Sequence, residues 1–326
     1  MAQSGSFDYI VTASDVMTDA LENIQVIEGG ESIASADSAL ALRTLNLLVK
    51  QWSSLGDQMP GMKVWLHKEV FLFPQKSQYK YTLGPSAQTS DKATENYTRT
   101  TLSAGEPASE TSIAVTDGSA SANSDVIGIV LDDGTIHWST ISSGGTTNTL
   151  TIATGLASIA AAGNYVYFYT TPLAFKPLEI LHATLRDPNL VDRVSITIPR
   201  DINLYNEIAD KTVVGLPEMA WYEPKILTGI LTFNCAFGNF FDIVRMQVLS
   251  PADDLDATTD NLAFPAEAFA ALGWELGMRL APKFGKPWTQ EMQKAYDMAV
   301  GTFRYINLPG AGPGYNSDDG GNCDSL

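Results

Sequence analysis

Histidine and cysteine are scarce in this chain: three of the former and two of the latter among 326 residues. No C-x-x-C, H-E-x-x-H or G-x-S-x-G occurs, so the usual signatures of zinc sites, zinc peptidases and serine hydrolases are missing. Cys235 and Cys323 lie far apart, which argues against a disulfide framework or metal knuckle and for a reducing compartment at synthesis. Basic residues are few as well. Twenty Lys and Arg face 37 Asp and Glu, giving a formal net charge of -17 and a pI near 4.4. Gripping nucleic acid requires Lys and Arg to displace condensed counterions, so that mode of binding is excluded, although an acidic protein can surround DNA by repelling it. No apolar run approaches 18 residues, and the opening MAQSGSFDYI lacks the basic start and apolar stretch of a secretory signal. A soluble protein is expected.

What is present is enough for a real core: 44% hydrophobic residues with only 17% charged, which sets an expectation of one to three domains. Helical periodicity occupies both ends. Thr12 and Asp15 form a capping-box-like start, followed by Met17, Ala20, Leu21 and Ile24 at spacings of three and four. Ser35 then caps a longer helix with the stripe Ala41, Leu45, Leu48, Trp52 and Leu55, ending at Gly56. Near the C-terminus, Pro265 suits a first helical turn. Phe269, Leu272, Leu276 and Leu280 make one stripe, Gly273 and Gly277 permit close approach, and Pro282 ends the helix. Thr289 caps a last helix through Ile306.

Between these ends the pattern is that of strands. KVWLHKEVFLFP (63–74) is rich in β-branched and aromatic residues, with QYKYTLG (78–84) expected as its hairpin partner. Ser, Thr, Ala and Gly dominate 86–125, and short strands separated by turn signals run on to Tyr169, so 104–170 is predicted to be a small inserted all-β module. The expected class is α+β: a helical bundle from the N- and C-terminal helices with a β domain, plus the insertion. The divisions are 1–60 (helix pair), 61–103 (first strands), 104–170 (insertion), 171–262 (remaining strands), 263–306 (second helix pair) and 307–326 (flexible, partner-binding tail).

Several stretches imitate sites. LDDGTIHW (131–138) holds Asp132, Asp133 and His137, which suggest metal ligands or an acid and a base. Asp133-Gly134 is also a favoured centre for a two-residue type I′ hairpin, and that reading explains the residues without chemistry. His67 and His182 sit in separate strand-like segments with no ligand spacing. Asp254, Asp256 and Asp260 resemble a calcium loop, but the Gly needed at the sixth position is missing and Pro265 falls where the bidentate Glu belongs. GAGPG in the tail resembles a phosphate loop by composition alone. Trp221 and Tyr222 suggest a carbohydrate-stacking platform, against which stands the commoner role of such aromatics in a core. No catalytic, cofactor or metal residue is assigned, although a hydrolase using two of the many acids stays formally open.

An ordered series of segments is similar to the head-to-tail adaptor proteins (head completion, or tail tubular A-type) of short-tailed bacteriophages. The series is SALALRTLNLLVKQWSSLG, FLFP and YKYTLG, then KPLEILHATLRD, LYNEIADKTVVGLPEMAWYEP and LAFPAEAFAALGWELGMRLAPKFGKP. Lys211, Gly215, Pro217 and Tyr222 match the family's K-x-x-x-G-x-P and aromatic strand; Pro265, Ala271, Leu272, Leu280, Ala281, Pro282 and Gly285 match its helix and exit turn. The resemblance covers about 1–85 and 171–306; the insertion and the wording of the tail depart from it. It implies a structural virion protein, not an enzyme and without cofactors. Copies would form a ring, a dodecamer on the family's pattern, between the portal and the tail nozzle, with the genome passing through unbound during ejection. A negatively charged channel would let DNA slide. The tail, with Leu308, Pro309, Tyr315 and Leu326 as candidate contacts, would order on the portal. The protein would be made in the host bacterial cytoplasm and reside at the head-tail junction. In the adaptor the insertion would be where tail fibres attach. The alternative is a phage tail surface-binding protein whose inserted β module recognises host glycans.

Overall fold

The structure, a computed structural model, describes residues 10–54, 66–85, 91–187, 189–208, 210–238, 243–264 and 266–306. The chain is of the mixed α+β class and divides into two units, one from the described residues up to Leu66 and from Pro251 on, the other from His67 to Ser250. The expectations for Leu55, Gly56, Lys63, Pro265, Cys323 and the tail fall outside the described residues.

In the first unit, α1 (Ala13–Asn23) begins at a complete capping box. Asp15 N–H donates to Thr12 Oγ1 at 3.2 Å while Thr12 N–H donates to Asp15 Oδ2 at 2.9 Å, so Asp does here what the longer Glu commonly does. α2 (Ser35–Ser54) starts with Ser35 as its first helical residue rather than as its cap. α3 (Ala266–Leu280) runs into a 3-10 turn, Ala281–Phe284, that holds Pro282 and closes on Gly285 at φ +65°. α4 (Gln290–Ile306) is capped by Thr289, whose Oγ1 accepts from Met292 N–H at 3.2 Å. Their apolar faces share one core that includes Met17, Leu21, Leu45, Leu272 and Leu276, with Trp52 stacked on Phe303 at 5.5 Å. Of the two helix glycines, Gly277 is the one with a tight neighbour: a Cβ there would lie 3.1 Å from Ala20 O, whereas Gly273 has ordinary room. The segment 251–262, expected with the strands, instead belongs here. Asn46 holds Leu255 through both amide atoms (2.7 and 2.9 Å), and Ala13 N–H donates to Asp260 O.

The second unit is built from strands β1 (His67–Leu72), β2 (Lys80–Leu83), β3 (Ala93–Thr94), β4 (Thr98–Thr101), β5 (Ser112–Ala114), β6 (Val126–Val130), β7 (Ile136–Ser143) and β8 (Thr149–Ile152). They continue with β9 (Tyr165–Tyr169), β10 (Glu179–Arg186), β11 (Asp192–Ile196), β12 (Val214–Gly215), β13 (Ala220–Pro224), β14 (Gly229–Phe233), β15 (Ala236–Phe237) and β16 (Ile243–Leu249). A five-stranded antiparallel sheet has the order β11-β10-β16-β1-β3, so it takes strands from both sides of the 98–169 stretch. A three-stranded sheet runs β13-β14-β2, and β12 pairs with β15 in parallel. The expected β1–β2 hairpin is therefore corrected: β2 joins β14. Tyr81 secures the connection between the two strands, its hydroxyl accepting from Gln75 N–H (2.9 Å).

The remaining sheet, β4-β9-β6-β7-β8-β5, is the inserted module, and it takes in Thr98–Thr101 ahead of the expected start at 104. Its inner face (Ile127, Ile129, Ile141, Leu150, Val166, Phe168) makes a separate core. Alternation along β1 sends Val70 and Leu72 to the core beneath the five-stranded sheet and Phe71, with Phe73 beyond the strand, to the module. Phe73 lies 5.2 Å from Trp138 and from Tyr167, and 6.0 Å from Tyr169. Gly128 is required beneath Trp138, since a Cβ there would meet the indole at 2.6 Å. Among the described residues no helix is long and apolar enough to cross a membrane.

Candidate interaction surface

The LDDGTIHW stretch is a hairpin, of a different type from the one expected. Gly134 alone in the turn has positive φ (+86°), its N–H donates to Leu131 O at 3.1 Å, and Leu131 N–H donates to Thr135 O at 2.9 Å. This is a three-residue loop, Asp132-Asp133-Gly134, with glycine in the left-handed position rather than a two-residue type I′ turn. Both acids are engaged, Asp133 within the loop and Asp132 across the module. Asp132 Oδ1 accepts from Ala161 N–H (2.9 Å) and the Asn164 amide (2.8 Å), while Asp133 Oδ1 accepts from the Thr135 N–H and hydroxyl, which hold its carboxyl below the ordinary value. His137 Nε2 donates to Thr154 O at 3.1 Å. The three side chains serve three different partners.

The other imitations separate in the same way. His67 lies opposite Leu249 and His182 opposite Gln247, and His182 Nε2 is 3.5 Å from Ser195 Oγ. Asp260 Oδ2 accepts from Asp256 and Ala257 N–H, closing a turn, and Asp254 pairs with Lys50 at 2.8 Å. No group of three or more His, Cys, Asp or Glu among the described residues is placed to hold a metal. Trp221 and Tyr222 are neighbours in β13 and face opposite sides, so they make no common platform. Tyr222 is buried, its hydroxyl donates to Pro177 O, and burial pushes its phenol up. Lys211 donates to Ile208 O and lies over the Tyr205 ring, Gly215 pairs with Phe237, and half-buried Cys235 is raised by burial and by Glu218. Burial also pushes the Tyr205 phenol up to about 12, with its hydroxyl donating to Phe233 O.

What the sequence reading missed is apolar and exposed. Of the fourteen exposed large apolar side chains among the described residues, ten fall between Leu181 and Leu227, and only Ile159 lies in the inserted module. Eight of the ten come in pairs, at or beside successive connections. Leu190 and Val191 occupy the β10–β11 turn, Ile202 and Leu204 the single-turn helix Ile202–Asn206, and Val213 and Val214 the entry to and first residue of β12. Ile226 (92% exposed) and Leu227 (62%) form the tip of the β13–β14 hairpin, closed by Lys225 N–H donating to Thr228 O at 2.8 Å. A groove of about 310 Å³ runs beside β13, lined by Leu178, Leu181, Ile198, Pro199, Trp221 and Pro224 among others. Single exposed apolar residues are ordinary, whereas repeated pairs stand out on loops, where polar turn formers are favoured. The sequence did carry this signal: the turn at 225–228 reads KILT, with none of the Gly, Asn or Asp a tight hairpin prefers. No protein-family model matches the chain, and no curated protein matches it.

Proposed function

We propose that this chain is a structural virion protein, a head-to-tail adaptor whose copies assemble as a ring joining the portal to the tail nozzle around the DNA exit channel. The observation that carries the reading is the paired exposed apolar residues on successive connections between Leu181 and Leu227, which are suited to contacts between copies. In a closed ring each copy presents one surface to one neighbour and a second surface to the other, so every such face is covered. The net charge of -17 is compatible with a channel through which a polyanion slides. In this reading the helices at the two ends of the chain are the adaptor's helical bundle. Residues 307–326, with Leu308, Pro309, Tyr315 and Leu326, are its portal contact, and the head-tail junction is its location. The glycan-binding alternative gains nothing from the insertion's Tyr167 and Tyr169, whose rings are buried.

The test is the mass of the purified protein alone and mixed with a purified portal ring. A complex of many copies supports the adaptor, and a lone monomer with no portal affinity overturns it. Replacing Ile226 and Leu227 together by serine is expected to weaken self-association at least tenfold while leaving the fold intact. Deleting 308–326 is expected to abolish portal binding; undiminished binding would remove the tail from the proposal.

A further inference from the structure

One further groove, of about 400 Å³, opens where the β3–β4 connection meets the inserted module. Its lining includes Thr94, Glu95, Thr98, Asp125, Tyr169 and Thr171, and no Lys, Arg or His takes part. Asp125 decides its character. The residue is 1% exposed, and its Oδ2 accepts from Ala122 N–H at 2.7 Å, while no donor among the described residues reaches its Oδ1. An acceptor buried without a donor costs free energy comparable to a lost hydrogen bond, and in a well-packed module such a group asks for a purpose.

We propose that this groove binds a primary alkylammonium, with Asp125 as the acceptor of its N–H and Glu95 at the rim adding negative potential. Three observations select that class. The lining holds two acids and no base, so an anion is disfavoured. No three ligating side chains converge among the described residues, which argues against a divalent metal. Of the three aromatics in the lining, Phe168 and Tyr169 are 1% and 4% exposed and half-buried Tyr97 has its ring packed on Phe71 and Phe73, leaving little face for a sugar to stack on. An ammonium, by contrast, needs few partners and gains from a charged acceptor in a site shielded from water. Glu95 is itself held by Lys68 at 3.2 Å, so Asp125 carries the larger share.

A lysine side chain and a free diamine offer the same chemistry, and two probes separate them: Nα-acetyl-lysine amide and 1,5-diaminopentane, each titrated into the full chain and followed by saturation-transfer NMR. Saturable binding of either probe, with the neutral 1-pentanol failing to compete, is expected; preference between the two identifies the source. Asp125→Asn keeps an oxygen for Ala122 N–H and replaces the free acceptor by a donor, so the fold is retained and affinity is expected to fall about tenfold or more, as for loss of a hydrogen bond to a charged group. Glu95→Gln is expected to have a smaller effect. Undiminished binding by Asp125→Asn overturns the proposal. So does non-saturable uptake by the wild-type protein, or equal competition by the alcohol, neither of which depends on a variant folding.

Discussion

Two regions of the β unit close their connections alike and differ in the side chains those connections display. In the inserted module the connections are closed by their own polar side chains. Asp132 and Asp133 secure one turn, Glu110 accepts from the N–H groups of Thr111 and Ser112, and the Thr147 hydroxyl donates to Gly144 O. In the strands from 179 to 249 the connections are closed as well, Asp187 Oδ1 accepting from Asn189 and Val191 N–H and Asp210 Oδ1 from Thr212 N–H, but they carry Leu190–Val191, Val213 and Ile226–Leu227 out to solvent. Backbone closure is thus common to both regions, and the exposed aliphatic pairs belong to one of them. The adaptor proposal rests on that difference in displayed side chains.

The largest effect is expected where the two regions meet. Phe73 is 1% exposed and touches Tyr97, Trp138, Tyr167 and Tyr169. Phe73→Ala is expected to cost about 3–5 kcal/mol, as for other buried aromatics. Guanidinium unfolding measures it. A loss below about 1 kcal/mol would mean that the module does not depend on β1 for its packing.

Next comes a pair of substitutions with crossed sensitivities. Asp132→Ala removes the acceptor of Ala161 N–H and the Asn164 amide at an exposed site, and about 0.5–1.5 kcal/mol of stability should go with no change in self-association. The serine double variant at Ile226 and Leu227 should change stability by no more than about 0.5 kcal/mol, because those side chains touch solvent, and should change association instead. Finding both effects in one variant would dissolve the contrast. A smaller test sits in the same turn. Gly134 is held at φ +86°, and Gly134→Ala is expected to cost about 1–2 kcal/mol by calorimetry, since a Cβ is strained in that region.

How legible this was in the sequence differed by level. The capping box at Thr12 and Asp15, the stripe of α3 and the Gly277 approach follow from local spacing, which helices express within a few residues. Strand pairing does not. β1 and β2 alternate as if for each other, yet β1's partner is β16, more than 170 residues on, because both faces of β1 have distant cores to fill. The turn at Asp133-Gly134 was recognisable and its type was not: the choice depends on Asp132 reaching Ala161 and Asn164, a contact across the module. The exposed pairs were visible as letters. They read as strand residues because burial, unlike polarity, is a property of the folded chain.

The smallest effect discriminates by mechanism. Asp133 and Asp192 both titrate below the ordinary carboxylate value of 3.8. Asp133 is lowered by the Thr135 hydroxyl and N–H. For Asp192 burial alone would raise the value, but the hydrogen bonds and charges of Arg186 and Arg245 outweigh it. A depressed folded value means the unfolded chain binds the proton more tightly. Each group therefore stabilises the fold fully at pH well above 3.8, and that contribution is lost as pH falls through the folded value. Salt separates the two. Added sodium chloride screens the partly exposed Asp192 cluster, worth at most about 1 kcal/mol, and leaves a short hydrogen bond to a hydroxyl nearly unchanged. Asp192→Asn should thus flatten both the acid limb and its salt dependence in urea unfolding, whereas Asp133→Asn should reduce the acid limb alone. A salt response lost equally in both variants would show that charge, rather than turn chemistry, holds the module's hairpin.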